Sequence, residues 1–276
     1  MILSFGSDPS AGSTAPLLLG LPSLVALLAY LGAGLLQERL ERAWHTLLLV
    51  GWVAHGIAIV VDISGVGTAT SGARFGFAPA LSATIWLVLT VYGVESRFVA
   101  LHGARRTLAL LGAAAVVLAL SYPGELRPHA LSRWAPLHWL LGLASYGLFG
   151  AAVLHGVLLN RAERQLKSRT VPTSSGMPLL RLERLTFRFV GAGFAVLSAA
   201  LLLGAWFANP WRWDHKTVFS ILGWVVFAAL LAGRRAFGWR GPRATRWLYA
   251  GAALLLLAYV GSRFVLEVLL HRPAIV

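Results

Sequence analysis

Eight long apolar runs, separated by short stretches rich in arginine, glycine and proline, account for most of the chain. A helix rises about 1.5 Å per residue and the hydrocarbon core of a bilayer is roughly 30 Å thick, so about 20 mainly apolar residues make one crossing. The runs lie at about Pro16–Leu36, Thr46–Ile63, Ala78–Glu95, Thr107–Tyr122, Pro136–Asn160, Phe189–Ala208, Thr217–Gly233 and Thr245–Leu270, the fourth short and the last long. The pattern predicts an all-α fold: a polytopic membrane helix bundle with about eight transmembrane helices, forming one membrane domain over residues 1–276. Met1–Pro16 contains no Lys or Arg, so the basic start of a secretory signal is missing and the first run is expected to persist as a helix. The longest loop, 161–188, opens with basic residues and passes through Pro172–Gly176. It ends in Leu179–Leu185, where apolar and basic residues alternate as in a short interfacial amphipathic helix.

Composition agrees with lipid as the main solvent: 58% of residues are hydrophobic and 12% charged, against about 45–50% and 25% in soluble domains. The net charge of +14 does not point to nucleic acid, because the basic residues sit in loops between apolar runs and not on one polar face. Their distribution carries other information. One alternate set of loops holds 17 of the 24 Lys and Arg residues, which assigns it to the cytoplasm and both termini to the periplasmic side. The loop Asn209–Lys216 then lies outside and the loop 161–188 inside. With no cysteine, the chain cannot attach a c-type haem covalently or hold a thiolate metal site. There is no separate soluble domain, internal repeat or GxxxxGK(S/T) phosphate loop, so an ATP-driven pump is not expected.

The histidines are the informative ionisable residues, because polar groups within a membrane are costly and often functional. His45, His102 and His129 fall in loops, where a solvated imidazole needs no further reason. His55 falls near the middle of the second run and requires a partner at that depth. For His155 the simpler reading is a neutral ring bonded to a helix carbonyl. His138 opens the fifth run and His271 closes the eighth at the same membrane level, so the two imidazoles could clamp a metal. Arg263, Glu267 and His271 recur every four residues and are expected on one helical face, with Glu267 orienting the His271 ring. Between them in sequence lies Trp211-Arg212-Trp213-Asp214-His215-Lys216, more clustered than an ordinary interfacial aromatic belt. Its indoles suit a porphyrin face, and Arg212 and Lys216 suit propionates.

Together the Trp211-x-Trp213-Asp214-x-Lys216 loop, Leu137-His138 followed by Ala144-Ser145-Tyr146, Phe237-Gly238-Trp239-Arg240-Gly241 and the closing Tyr259–Glu267 stretch resemble the cytochrome c assembly (CcsA/CcmC-like) family, most of all its short YpjD/HemX branch. The motif-bearing core spans about 46–271. The resemblance implies a bacterial inner-membrane protein that handles haem in cytochrome c biogenesis. It implies non-covalent haem b on the periplasmic face, with His138 and His271 as axial ligands and Trp211, Trp213, Asp214, Lys216 and Arg212 around the ring, and His55 as a further haem-binding candidate. The implied partners are membrane lipid, haem, other cytochrome c maturation membrane proteins and apocytochrome c. The chain would act as a delivery or assembly factor more than as an enzyme. Two departures stand out: the tryptophan motif is shorter than in CcsA, and the Thr217–Gly233 run lacks the histidine that CcsA-type proteins carry there for a second haem. Other readings are a HemX-like membrane regulator of a haem-biosynthesis enzyme, and a small-molecule or ion transporter. Against transport, Asp62, Glu95 and Glu267 all lie near run ends. The cysteine-free background makes the topology directly testable. A cysteine at Ser7 should react with an impermeant maleimide on intact spheroplasts, and one at Ser174 only after lysis; the opposite pattern inverts the assignment.

Overall fold

The computed structural model describes residues 15–35, 41–64, 73–96, 104–127, 134–168, 178–207 and 213–270. Among the described residues eight helices follow one another: α1 Ala15–Leu35, α2 Glu41–Ser64, α3 Phe77–Glu95, α4 Arg105–Ser121, α5 Ala135–Lys167, α6 Leu179–Phe207, α7 His215–Phe237 and α8 from Gly241. The last is α-helical over Gly241–Leu256 and continues through π-helical turns at Leu257–Gly261 and Val265–Leu269, with Ser262–Phe264 between them. Six helices (α2, α3, α5, α6, α7 and α8) are long and apolar enough to cross a membrane, and Gly20–Leu35 is a shorter apolar segment. At 17 residues, α4 sits at the lower limit of a span. Large hydrophobic side chains such as Leu28, Val60, Leu140 and Leu202 remain exposed on the outside of the bundle, as lipid-facing residues do. The chain is a multi-pass membrane protein.

The helices pack as two groups of four. In the first, α1 lies against α2 and α4, and α3 against α2 and α4; in the second, α5 lies against α6 and α8, and α7 against α6 and α8. The α3–α5 contact joins them. Two clusters are buried: one around Tyr30, Tyr92 and Leu108 of the first group, which also takes in Leu158 and Leu159 of α5 and Leu182 of α6, and one around Phe149, Phe227 and Leu248 within the second. Small residues permit the close approaches, as expected where lipid supplies no hydrophobic drive between helices. The Tyr30 ring of α1 is wedged between Gly51 of α2 and Gly112 of α4, where an added Cβ would come within 2.8 and 2.9 Å of its carbons. Half-buried polar side chains bond between helices: Trp52 Nε1 donates to Thr90 Oγ1 at 2.8 Å, and Trp224 Nε1 to Ser198 Oγ at 2.8 Å.

One finding corrects the sequence reading. Leu179–Leu185 is not a separate interfacial helix but the first turns of α6. Leu182 is fully buried in the first core cluster, and Leu179 and Leu185 pack against it, so the apolar side of this segment meets protein where headgroups were expected. α5 likewise runs on to Lys167, past the expected Asn160.

At the end of the bundle opposite this segment, a short antiparallel pair links the two groups. β1 (Ala73–Phe75) pairs with β2 (Glu125–Arg127), Phe75 opposite Glu125. The pairing requires glycine on both sides. Gly124 has φ +79°, and a Cβ on Gly76 would come 2.8 Å from the Gly124 Cα. The same end carries the C-terminal turn of α8, whose Glu267 Oε2 accepts from the Phe77 backbone N–H at 3.4 Å, at the start of α3. A carboxylate there complements the positive end of that helix.

The Tyr30 wedge yields a stability contrast. Gly112→Ala should destabilise the detergent-solubilised protein by about 1–3 kcal/mol through overpacking, read as a lower unfolding temperature. Gly93→Ala, with nothing within 4 Å of the new methyl, should leave that temperature unchanged or raise it.

Candidate functional site

The first turn of α5 lies against the last turns of α6. There His138 Nδ1 is 2.9 Å from the Ala200 carbonyl oxygen. A carbonyl only accepts, so Nδ1 carries the proton, and in the neutral ring the lone pair belongs to Nε2. This arrangement also orients metal-bound imidazoles, because it fixes both the tautomer and the ring plane. Gly204, one turn beyond Ala200 on the same face of α6, makes room for the ring: a Cβ there would come 2.8 Å from His138 Cε1.

His138 lines a small cleft with Trp139 and Tyr146 of α5, Phe75 of β1, Lys216 of α7 and Tyr259 of the π-helical stretch. Phe75 stacks on Trp139 at 5.8 Å between centroids and meets Tyr259 edge-on at 5.9 Å. Lys216 Nζ lies 5.6 Å from the Tyr259 ring centre, a cation–π distance. The Tyr146 hydroxyl donates to the Leu255 carbonyl, two residues before α8 changes to π-helix. π-turns of this kind gather at functional sites, since the extra residue re-aims the side chains that follow. Here the π-helical stretch carries Tyr259 into the cleft wall. The cavity measures about 60 Å³, against roughly 300–1,000 Å³ for pockets that enclose a small molecule. It therefore has room for the edge of a large flat ligand and not for its whole body.

The structure brings His138 and Lys216 together. Trp213, in the same short segment as Lys216, is 72% exposed. Asp214 is the N-cap of α7, its Oδ1 accepting from the Thr217 N–H at 2.7 Å, so it fixes where the tryptophan-bearing segment ends and the helix carrying Lys216 begins. Trp211, Arg212 and His271 lie outside the described residues. Arg263 and Glu267 fall on either side of the change to π-helix at Val265, where four residues no longer complete one turn. Among the described residues, no three His, Cys, Asp or Glu side chains converge as a cage for a bare metal ion.

The other membrane-embedded histidines lie elsewhere. His55 is buried in the first helix group, with Nδ1 3.2 Å from Tyr30 Oη and Nε2 2.8 Å from Ser82 Oγ. His155 Nδ1 donates to the Ala151 carbonyl of its own helix at 2.8 Å. Its Nε2 lies 2.8 Å from Glu95 Oε2, at ion-pair distance but without the alignment of a hydrogen bond. Sequence reasoning missed Phe75, Ala200 and Gly204, and it quoted Tyr146 and Tyr259 as parts of motifs without assigning them to the cleft.

Known proteins resemble this chain over most of its length. A model of the family described as cytochrome C assembly protein matches residues 43–270. The chain is 30% identical over 262 residues to the inner membrane protein YpjD of Escherichia coli strain K12, an alignment covering 91% of this chain and 98% of that one. It is 28% identical over 189 residues to the cytochrome c biogenesis protein CcsA of Prochlorococcus marinus strain NATL1A, covering 56% of this chain and 60% of that protein. With CcsA of Synechococcus sp. strain JA-3-3Ab it shares 31% identity over 115 residues, 38% of this chain and 33% of the other.

The Asp214 cap generates its own prediction. Asp214→Ala should cost about 1 kcal/mol of stability and loosen the segment before α7, while Asp214→Ser keeps the cap and the stability, both read from thermal unfolding in detergent.

Proposed function

The chain belongs to the cytochrome c assembly protein family, and from that premise we propose that it is a haem-handling protein of the bacterial inner membrane, acting in cytochrome c biogenesis. In this reading eight helices cross the membrane with both termini outside, and the His138 cleft opens on the periplasmic side. The observation that carries the reading is the His138–Ala200 bond, which commits the Nδ1 proton to the protein and presents Nε2 as the ligating atom. Haem b, when bound, supplies an iron that takes imidazole nitrogen as an axial ligand.

The described residues fit such a group in chemistry and limit how it sits. The cleft is too small to enclose a porphyrin, so Trp139, Tyr146 and Tyr259 would hold one edge of the ring. Lys216 offers an ammonium to a propionate, and the exposed indole of Trp213 offers a flat apolar surface. Arg212 and Trp211 are assigned the same two tasks from their neighbouring positions, and His271 the second axial position. An open, edge-held ring suits a protein that passes its cargo on, because the exposed edge remains accessible to a partner such as an apocytochrome. The chain's own work is then to bind, orient and shield one face, not to carry out the thioether chemistry.

Haemin added to the detergent-purified protein should produce a shifted Soret band. His138→Ala should abolish that shift, and Gly204→Val, which displaces the imidazole, should weaken haemin binding by tenfold or more, a cost of about 1.4 kcal/mol. An unshifted spectrum in the parent protein, or an identical one in His138→Ala, removes His138 from the site.

A further inference from the structure

The charges of the first helix group are mostly matched within it. Arg74 lies 3.7 Å from Asp62 on the wall of a second cavity, about 320 Å³ and apart from the His138 cleft, and Arg105 lies 3.3 Å from Glu41. At the end of the group where Arg105 sits, the described residues hold three cations, Arg42, Arg105 and Arg106, against two carboxylates, Glu41 and Glu95.

The second group differs at the end where α5 and α7 finish and α6 and α8 begin. Glu183 of α6 lies 2.8 Å from Arg234 of α7 and 3.8 Å from Arg240, and a Cβ on Gly241, where α8 starts, would come 3.6 Å from a carboxylate oxygen of Glu163 in α5. Four helix ends are thus gathered in one area. Among the described residues this area holds eleven Lys and Arg, three in 161–167, three in 179–188 and five in 234–246, against the two carboxylates Glu163 and Glu183. Arg234 is half-buried, bound to Glu183 and 3.7 Å from the centre of the Phe187 ring, and the other ten are exposed. Membrane sidedness accounts for the sign of these charges but not for their concentration at one group. So large an excess of like charge repels itself, and it calls for anions from outside the chain.

What surrounds the cations selects the anion. Phe237 is 77% exposed and stacks on Trp239 at 6.4 Å between centroids, Trp239 lies 5.4 Å from Trp247, and the Arg243 guanidinium sits 4.4 Å over the Trp239 ring. Leu166 and Leu180, each beside basic residues, are 58% and 69% exposed. Aromatic rings and long apolar side chains interleaved with guanidinium groups fit the headgroup layer, where phosphate and the upper acyl chains lie side by side. A soluble acidic partner would match the charges and leave the apolar side chains uncovered. We propose that this end of the second helix group binds anionic phospholipid, whose phosphodiester groups pair with exposed guanidinium groups such as those of Arg184, Arg188, Arg243 and Arg246 while acyl chains cover Leu166, Leu180 and Phe237. In the topology proposed above the lipid belongs to the cytoplasmic leaflet. The proposal rests on the membrane assignment and is independent of haem at His138.

The full chain, reconstituted in phosphatidylcholine bilayers with trace spin-labelled lipid, provides the test: the motionally restricted fraction of labelled phosphatidylglycerol is compared with that of labelled phosphatidylcholine. Phosphatidylglycerol should associate about fivefold more strongly or better, and roughly 1 M sodium chloride should reduce that preference. The fourfold variant Arg184→Gln/Arg188→Gln/Arg243→Gln/Arg246→Gln should lose most of it. The same four positions changed to Lys should keep it, and so should Arg42→Gln/Arg106→Gln in the first group. All six side chains are exposed, so each variant should unfold near the temperature of the parent. Equal restriction of the two lipids in the parent, a preference retained in the fourfold Gln variant, or one lost equally in the first-group variant overturns the proposal. So does displacement of the labelled lipid by inorganic phosphate, the mark of a site for free anions, or by polyglutamate, the mark of a site for an acidic protein.

Discussion

Inside a bilayer a polar group has no water to fall back on, and among the described residues several polar side chains find partners on neighbouring helices. That constraint shapes the bundle more than helix propensity does. Trp52 reaches across to Thr90 and Trp86 Nε1 donates to the Trp52 carbonyl, so two stacked indoles tie α2 to α3. Asn160, Thr245 and Tyr249 form a similar tie between α5 and α8. Tyr30 holds the His55 ring while resting between two glycines of neighbouring helices. Removing the wedge would disturb the polar chain and the packing of α1 together.

The same constraint makes His138 readable. A half-buried imidazole at a helix start needs its donor satisfied, and the Ala200 carbonyl near the end of α6 satisfies it. That bond determines which nitrogen can ligate. Its geometry depends on Gly204, and the cleft beside it depends on the change to π-helix after Leu256. Glu267, meanwhile, holds the start of α3 through the Phe77 N–H. It thereby links the last helix to the strand pair that carries Phe75 and Arg74, one residue for each cavity. The two cavities thus share a frame at one end of the bundle while differing in lining: an imidazole among aromatic rings in one, Ser82, His55 and an Asp62–Arg74 pair beside apolar walls in the other.

Helix positions were legible because a membrane crossing imposes a minimum apolar length, and a run such as Ala78–Glu95 meets it without reference to any neighbour. Candidate polar residues were legible for a related reason: His55 and His138 stand out in runs with few ionisable groups. The Leu179–Leu185 segment shows where such reading stops. Its alternation of apolar and basic residues is the same whether the apolar side meets headgroups or another helix, and only the position of Leu182 in the core separates the two. Arg263 and Glu267 show a second limit, since spacing by four identifies one face only while the helix stays α-helical.

By itself, then, the sequence determined that this is a helical membrane protein, roughly where its helices run, and which few side chains could do chemistry in lipid. Those properties follow from local composition and length. Tertiary structure decided which of those side chains meet. It set His138 against Ala200 and Gly204, placed Tyr259 beside Lys216, and gave His55 to Tyr30 and Ser82. Such pairings depend on how far each helix is rotated about its axis. That rotation is fixed by packing against small residues on other helices, far away in the chain and invisible in any one run.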